Sequence, residues 1–133
     1  MAQSYRDLLT WRKAMGLVTN IYRATRAFPR EEVYGLTAQL HRAAISVPSN
    51  IAEGQARHSR REFHRFLTTA RGSLAEVETQ LQIASAVGYL GDECVEALLA
   101  EAGEIGRMLN GLLTSVQSCL TKDSETGHLS TGY

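Results

Sequence analysis

The chain has 133 residues, 44% of them apolar, and its 14 basic and 14 acidic side chains cancel. That length suits one domain with one core, and two prolines among many Ala, Leu, Glu, Arg and Gln favour helix. The opening "MAQSYRDLLTWRKAM" has no long apolar run, so neither a signal peptide nor a membrane anchor is predicted.

Cys94 and Cys119 fall far apart in one helical pattern, which argues against a disulfide between them. They read as small core residues in a reducing compartment, and no cysteine pair has metal-site spacing. The zero net charge hides a split. Residues 1–71 hold 12 Lys and Arg against 5 Asp and Glu, a net of +7, and residues 72–133 hold 2 against 9, a net of −7. Three readings fit: helices that neutralise each other within one bundle, head-to-tail assembly of copies, or a basic face kept for an anionic partner.

The first predicted helix covers residues 5–27. Tyr5, Leu8, Trp11, Met15, Val18, Tyr22 and Thr25 recur at steps of three and four, which is one helical face. Phe28-Pro29 ends it, because a residue before proline is pushed out of the α region. Arg30-Glu31-Glu32 then begins a second helix, with acids in the first turn where the dipole favours them.

The second helix carries Leu36, Leu40, Ala44, Val47, Ile51 and Gly54, and this spacing runs straight through Pro48. The unbroken seam predicts a helix kinked at Pro48, although proline inside a helix costs about 3 kcal/mol. The alternative is a fresh start with Asn50 as N-cap and Glu53 three residues on. A polar stripe of Arg42, Ser46, Ser49, Glu53 and Arg57 adjoins the seam, with Asn50 beside it. Partly buried, these groups need partners. Arg42 and Arg57 are placed to satisfy Glu53, and Asn50 to bond the carbonyl freed by Pro48 or an adjacent helix. Residues 54–58 make the turn.

Ser59-Arg-Arg-Glu62 is a capping box and opens the third helix. Its seam is Phe63, Leu67, Ala70, Leu74, Val77, Leu81 and Ala84, and Gly88 and Gly91 close it. Asp92 caps the fourth helix, whose seam is Val95, Leu98, Ala102, Ile105, Leu109, Leu112, Val116 and Cys119, widened by Leu99, Leu113 and Leu120. Gly103, Gly106 and Gly111 lie inside it, at about 1 kcal/mol each against alanine. Tight packing within one chain and close approach of a second copy explain them equally well. Four helices with short connections predict an all-α, up-down-up-down antiparallel bundle over residues 1–120, followed by a mobile C-terminal tail, 121–133.

Chemistry is sparse. A di-iron bundle needs Glu-x-x-His on core helices, and the one such motif, Glu125 to His128, falls in the tail. His58 and Glu62 share a face but His64 does not, so no metal site is predicted; His41 is expected on a polar surface. No catalytic constellation, cofactor-binding loop or small-molecule substrate is suggested. The positive signal is basic: Arg57, Arg60, Arg61, Arg65 and Arg71, with His58 and His64, cluster around one turn and the helix after it. Guanidinium forks suit phosphates, and a helix N-terminus adds donors. Phe63 and Phe66 read as core, so any contact with RNA or DNA is expected to be to backbone. The competing reading pairs these arginines with Glu76, Glu78 and the acids of the fourth helix, within the chain or across subunits.

The stretches "LLTWRKAMGLVTNIYRAT", "FPREEVYGLTAQLHRAAISVPSNIAEG", "FHRFLTTARGSLAEVETQLQIA" and "VGYL" resemble the four-helix-bundle family of bacterial intervening-sequence proteins. Members are encoded in insertions within large-subunit ribosomal RNA genes, and relatives are accessory factors of diversity-generating retroelements. The resemblance covers residues 5–120. It implies a cytoplasmic, non-enzymatic bundle that assembles as a ring-like homo-oligomer, a pentamer. It also implies nucleic-acid binding through a basic surface, and it carries no catalytic residues. The alternative function is a structural scaffold whose basic and acidic faces pair between subunits.

Overall fold

The structure, a computed structural model, describes the backbone of residues 4–131 and the side chains of residues 4–6 and 8–122. Four helices account for nearly all of it: α1 Leu9–Thr25, α2 Leu36–Ala56, α3 Arg60–Ala86 and α4 Asp92–Thr131. Short 3₁₀ turns, Tyr5–Asp7 and Arg30–Glu32, precede α1 and α2. Each helix packs on its two ring neighbours, α1 on α2, α2 on α3, α3 on α4 and α4 on α1, and among the described residues no contact crosses the diagonal. Short connections make neighbours antiparallel, so the expected four-helix bundle is present.

The cores of α2 and α3 follow the predicted spacing. Leu40, Ala44, Val47, Ile51, Leu67, Ala70, Val77, Leu81 and Ala84 are at most 1% exposed. Helix α1 differs. Its buried face is Thr10, Ala14, Leu17, Ile21 and Thr25, one residue ahead of the predicted stripe until the two meet at Thr25; Leu8, Trp11 and Val18 of that stripe pack half-buried against the core, while Met15 and Tyr22 are more than 40% exposed. Two apolar stripes overlap in this helix. The one with smaller side chains faces the core, where Leu17 and Ile21 are at most 1% exposed. Cys94 is exposed and Cys119 half-buried, so neither is the core residue the sequence suggests. Cys94 sits one position off the buried Val95 and therefore turns outward.

The helix starts also need correction. Arg30–Glu32 is a separate turn, and α2 begins only at Leu36. The Glu32 carboxylate accepts a hydrogen bond from the Leu36 amide at 3.1 Å and another from the Tyr89 hydroxyl at 2.8 Å. It thus caps α2 and ties it to the α3–α4 connection. These bonds, Tyr89 first, hold the Glu32 carboxyl below its usual range. Asp92 is the first helical residue of α4, and Gly91 supplies the carbonyl that accepts from the Val95 amide. The expected bundle–tail division at residue 120 falls on α4, which is helical to Thr131, and the tail side chains from 123 onward, Glu125 and His128 included, lie outside the described residues.

His41 is not simply a surface residue. It stacks on Tyr22 with ring centroids 3.8 Å apart, and its Nε2 lies 2.8 Å from Thr25 Oγ1. The Thr25 hydroxyl donates to the Tyr22 carbonyl, so the imidazole Nε2–H donates to Thr25. Burial pushes the His41 pKa below 6.5. The neutral ring is therefore favoured in the fold, and its contribution is complete above about pH 6.5 and lost as pH falls through the lowered folded value. The melting temperature is expected to fall between pH 7 and pH 5, and His41→Gln, which keeps a donor and removes the titration, is expected to flatten that fall.

Candidate functional site

The basic turn is built by the ends of two helices. Arg57 is the C-cap of α2, and His58 has φ 53°, the left-handed region. Ser59 then N-caps α3, its hydroxyl accepting from the Glu62 amide at 3.3 Å. This is half of the predicted capping box. The other half is absent because Glu62 turns to Arg65, accepting from Nε at 2.7 Å and Nη2 at 3.4 Å. That bond holds the Glu62 carboxyl below its usual value. Left-handed geometry strains a residue with a Cβ. His58→Gly is therefore expected to raise stability by about 0.5–1 kcal/mol in urea unfolding, since glycine closes helices in this conformation without that strain.

Helix α2 reaches further than predicted, to Ala56, so Gly54 is helical and fully packed. A Cβ on Gly54 would lie 2.7 Å from Phe66 Cβ and 3.1 Å from Phe63 Cδ1. The glycine therefore lets α2 and α3 approach where they meet the turn. Phe66 itself is 8% exposed, and its ring is flanked by the guanidinium groups of Arg57 at 5.3 Å and Arg65 at 4.4 Å. The sequence places Phe66 in the core but gives no sign that it orients two arginines, because that needs the crossing of two helices.

All five predicted arginines are exposed. Arg57, Arg60, Arg61 and Arg65 gather at the α2–α3 turn and the first two turns of α3. Arg71 stands apart: its Nη1 donates to Asn110 Oδ1 of α4 at 3.2 Å. Arg57 pairs with Glu53 at 3.1 Å and Arg65 with Glu62. Arg61 has no hydrogen bond or ion pair among the described residues. Glu76 and Glu78, offered as partners for this face, form no ion pair with it in this chain.

The polar stripe on α2 is organised differently from expectation. The helix continues through Pro48, which is buried. Asn50 Nδ2 donates to the Ser46 carbonyl and to Ser46 Oγ, each at 2.8 Å. The carbonyl that loses its partner to Pro48 is that of Ala44, six residues before Asn50 and beyond its reach. Glu53 is held by Arg57 alone of the two expected arginines. Arg42 lies 11 positions away, about 16 Å along a helix, and faces a cleft shared with α3. Among the described residues no group of three or more His, Cys, Asp or Glu is placed to hold a metal ion, and no helix is long and apolar enough to cross a membrane.

Four helices in a closed ring, with an aliphatic centre and an arginine-rich turn, define a small all-α bundle protein. The chain belongs to the 23S rRNA-intervening sequence protein family, whose model matches residues 6–111. Its fold is similar to the crystal structure of a protein of unknown function from the S23 ribosomal protein family of Bacteroides thetaiotaomicron. The TM-score is 0.74 at 21% identity, over 79% of this chain and 98% of that one. No curated protein matches the chain.

Proposed function

We propose that this chain is a non-enzymatic cytoplasmic protein that assembles with copies of itself, as a pentamer, and binds the phosphate backbone of RNA or DNA. The observation that carries the reading is the exposure of Arg57, Arg60, Arg61 and Arg65 at one helix turn, two of them braced on Phe66. Braced guanidinium groups lose less freedom on meeting a phosphate, and the N-terminus of α3 adds a favourable dipole. Local carboxylates offset part of this charge, so binding is backbone-directed and strongly dependent on salt. Gel-shift titration with a structured ribosomal RNA fragment over a salt series tests it. Arg60→Ala, Arg61→Ala and Arg65→Ala together are expected to lower the slope of log K against log salt by about 3 units. Absence of binding at low salt overturns the reading.

A second reading is favoured by the acids that stay unpaired within one chain, Glu76 and Glu78. In it the basic turn of one copy meets the acidic faces of the next, and the assembly is a scaffold. Light scattering separates the two. A scaffold held by such pairs dissociates at high salt, when exposed charges are screened.

A further inference from the structure

A cleft of about 170 Å³ lies between α2 and α3, away from the arginine-rich turn. Its walls face each other as antiparallel polar rows: Gln39, Arg42 and Ser46 on α2, and Gln80, Glu76 and Ser73 on α3. Several hydrogen-bonding groups in it are unused, the side-chain amide of the exposed Gln39 among them. Arg42 and Glu76 carry opposite charges on opposite walls, yet neither forms a hydrogen bond or ion pair among the described residues. Gln80 is nine-tenths buried and its Oε1 has no partner. A hydroxyl hydrogen is unused as well. Ser46 and Ser73 share one bond at 2.8 Å, and Ser46 already accepts from Asn50. Whichever serine donates, one O–H of the pair is left over.

Buried polar groups in folded proteins find partners, and an unmet carbonyl costs about 1–3 kcal/mol. Here that rule bears on the buried Gln80 Oε1; the exposed Arg42 and Glu76 set one positive and one negative charge on opposite walls, and the serine pair supplies a spare donor. We infer that the cleft binds a small zwitterion of the α-amino acid class. The ligand carboxylate sits on Arg42 and the serine pair, and its ammonium on Glu76. A soft terminal torsion lets Gln80 swing its Oε1 toward the ammonium. A simple anion or cation satisfies only one wall and leaves the opposite charge unmet. The inference goes beyond the nucleic-acid reading and stands without it, since no residue of the cleft belongs to the arginine-rich turn.

The test is thermal unfolding and calorimetric titration with glycine, L-serine and L-glutamine, with acetate and methylammonium as the two half-ligands. At least one amino acid is expected to raise the melting temperature by several degrees in a saturable way, while the half-ligands at the same concentration do not. Arg42→Gln and Glu76→Gln are each expected to weaken binding by about tenfold or more. Both side chains are exposed and unpaired, so the unliganded variants should melt with the parent protein. No response to any of the three amino acids overturns the inference. So does a response that survives both substitutions. If the substitutions instead change the mass of the assembly and no amino acid binds, the two charges serve contact between copies and the ligand site is refuted.

Discussion

Gly54→Val is expected to lower stability by about 3 kcal/mol, and Gly54→Ala by about 1 kcal/mol, both read from urea unfolding. The alanine value is a difference of two effects. Alanine gains about 1 kcal/mol over glycine in a helix interior. Against that, its Cβ would stand 2.7 Å from Phe66 Cβ and 3.4 Å from Phe63 Cα. Those atoms sit at the root of their side chains and do not swing away, so α2 and α3 must separate. Overpacking of this kind costs about 1–3 kcal/mol. Valine adds two more carbons and a stiff χ1 at the same place. The displacement falls where Phe66 supports Arg57 and Arg65. The alanine variant, which stays folded, is therefore also expected to bind RNA more weakly in the gel shift of the proposed function. A variant as stable as the parent would mean that the helices part at no cost and that Gly54 is not the point of closest approach.

The bundle is legible in the sequence because one periodicity decides most of it. On α3, residues 67, 70, 74, 77, 81 and 84 are all apolar and all buried, with no second stripe to compete. Helix α1 misleads because two bulky apolar side chains on its predicted face, Met15 and Tyr22, are more than 40% exposed. Tyr22 instead covers His41, a contact between helices that no spacing rule contains. The passage of α2 through Pro48 is legible from the same seam, but the partner of Asn50 is not. A side chain takes the carbonyl one turn back, whichever backbone group proline has orphaned.

The arginine cluster is visible as charge in the chain; its local pairing with Glu53 and Glu62 follows from helical neighbours three and four residues apart. What one sequence does not display is the row formed by Phe66, Ser73 and Gln80, all buried on α3 and seven residues apart. Two of its three members are polar, so a hydrophobic pattern passes over it. Yet Ser73 and Gln80 of that row line the cleft beside α2 where the unmet groups lie.

The glycines of α4 support the second large effect. A Cβ at Gly103 would lie 3.6 Å from Arg107 Nη1, and one at Gly106 would lie 3.5 Å from Leu74 Cδ2. At Gly111 nothing stands within 4 Å. Alanine therefore fits at all three in a single copy, and tight packing inside the bundle does not account for them. This contrasts with Gly54, where the neighbouring helix forbids a side chain. Gly103→Ala with Gly111→Ala is expected to stabilise the isolated chain by about 2 kcal/mol, the sum of two propensity gains. The sites are 8 positions apart, about 12 Å along the helix, far enough to act independently. Under the proposed assembly, the reason for glycine here is a face that another copy approaches closely. The same double variant is then expected to assemble less tightly, so that light scattering shows a lower mass at a given concentration while the melting temperature of the dissociated chain rises. Raised stability with the mass unchanged would take this face out of the assembly and leave the three glycines without a structural cause.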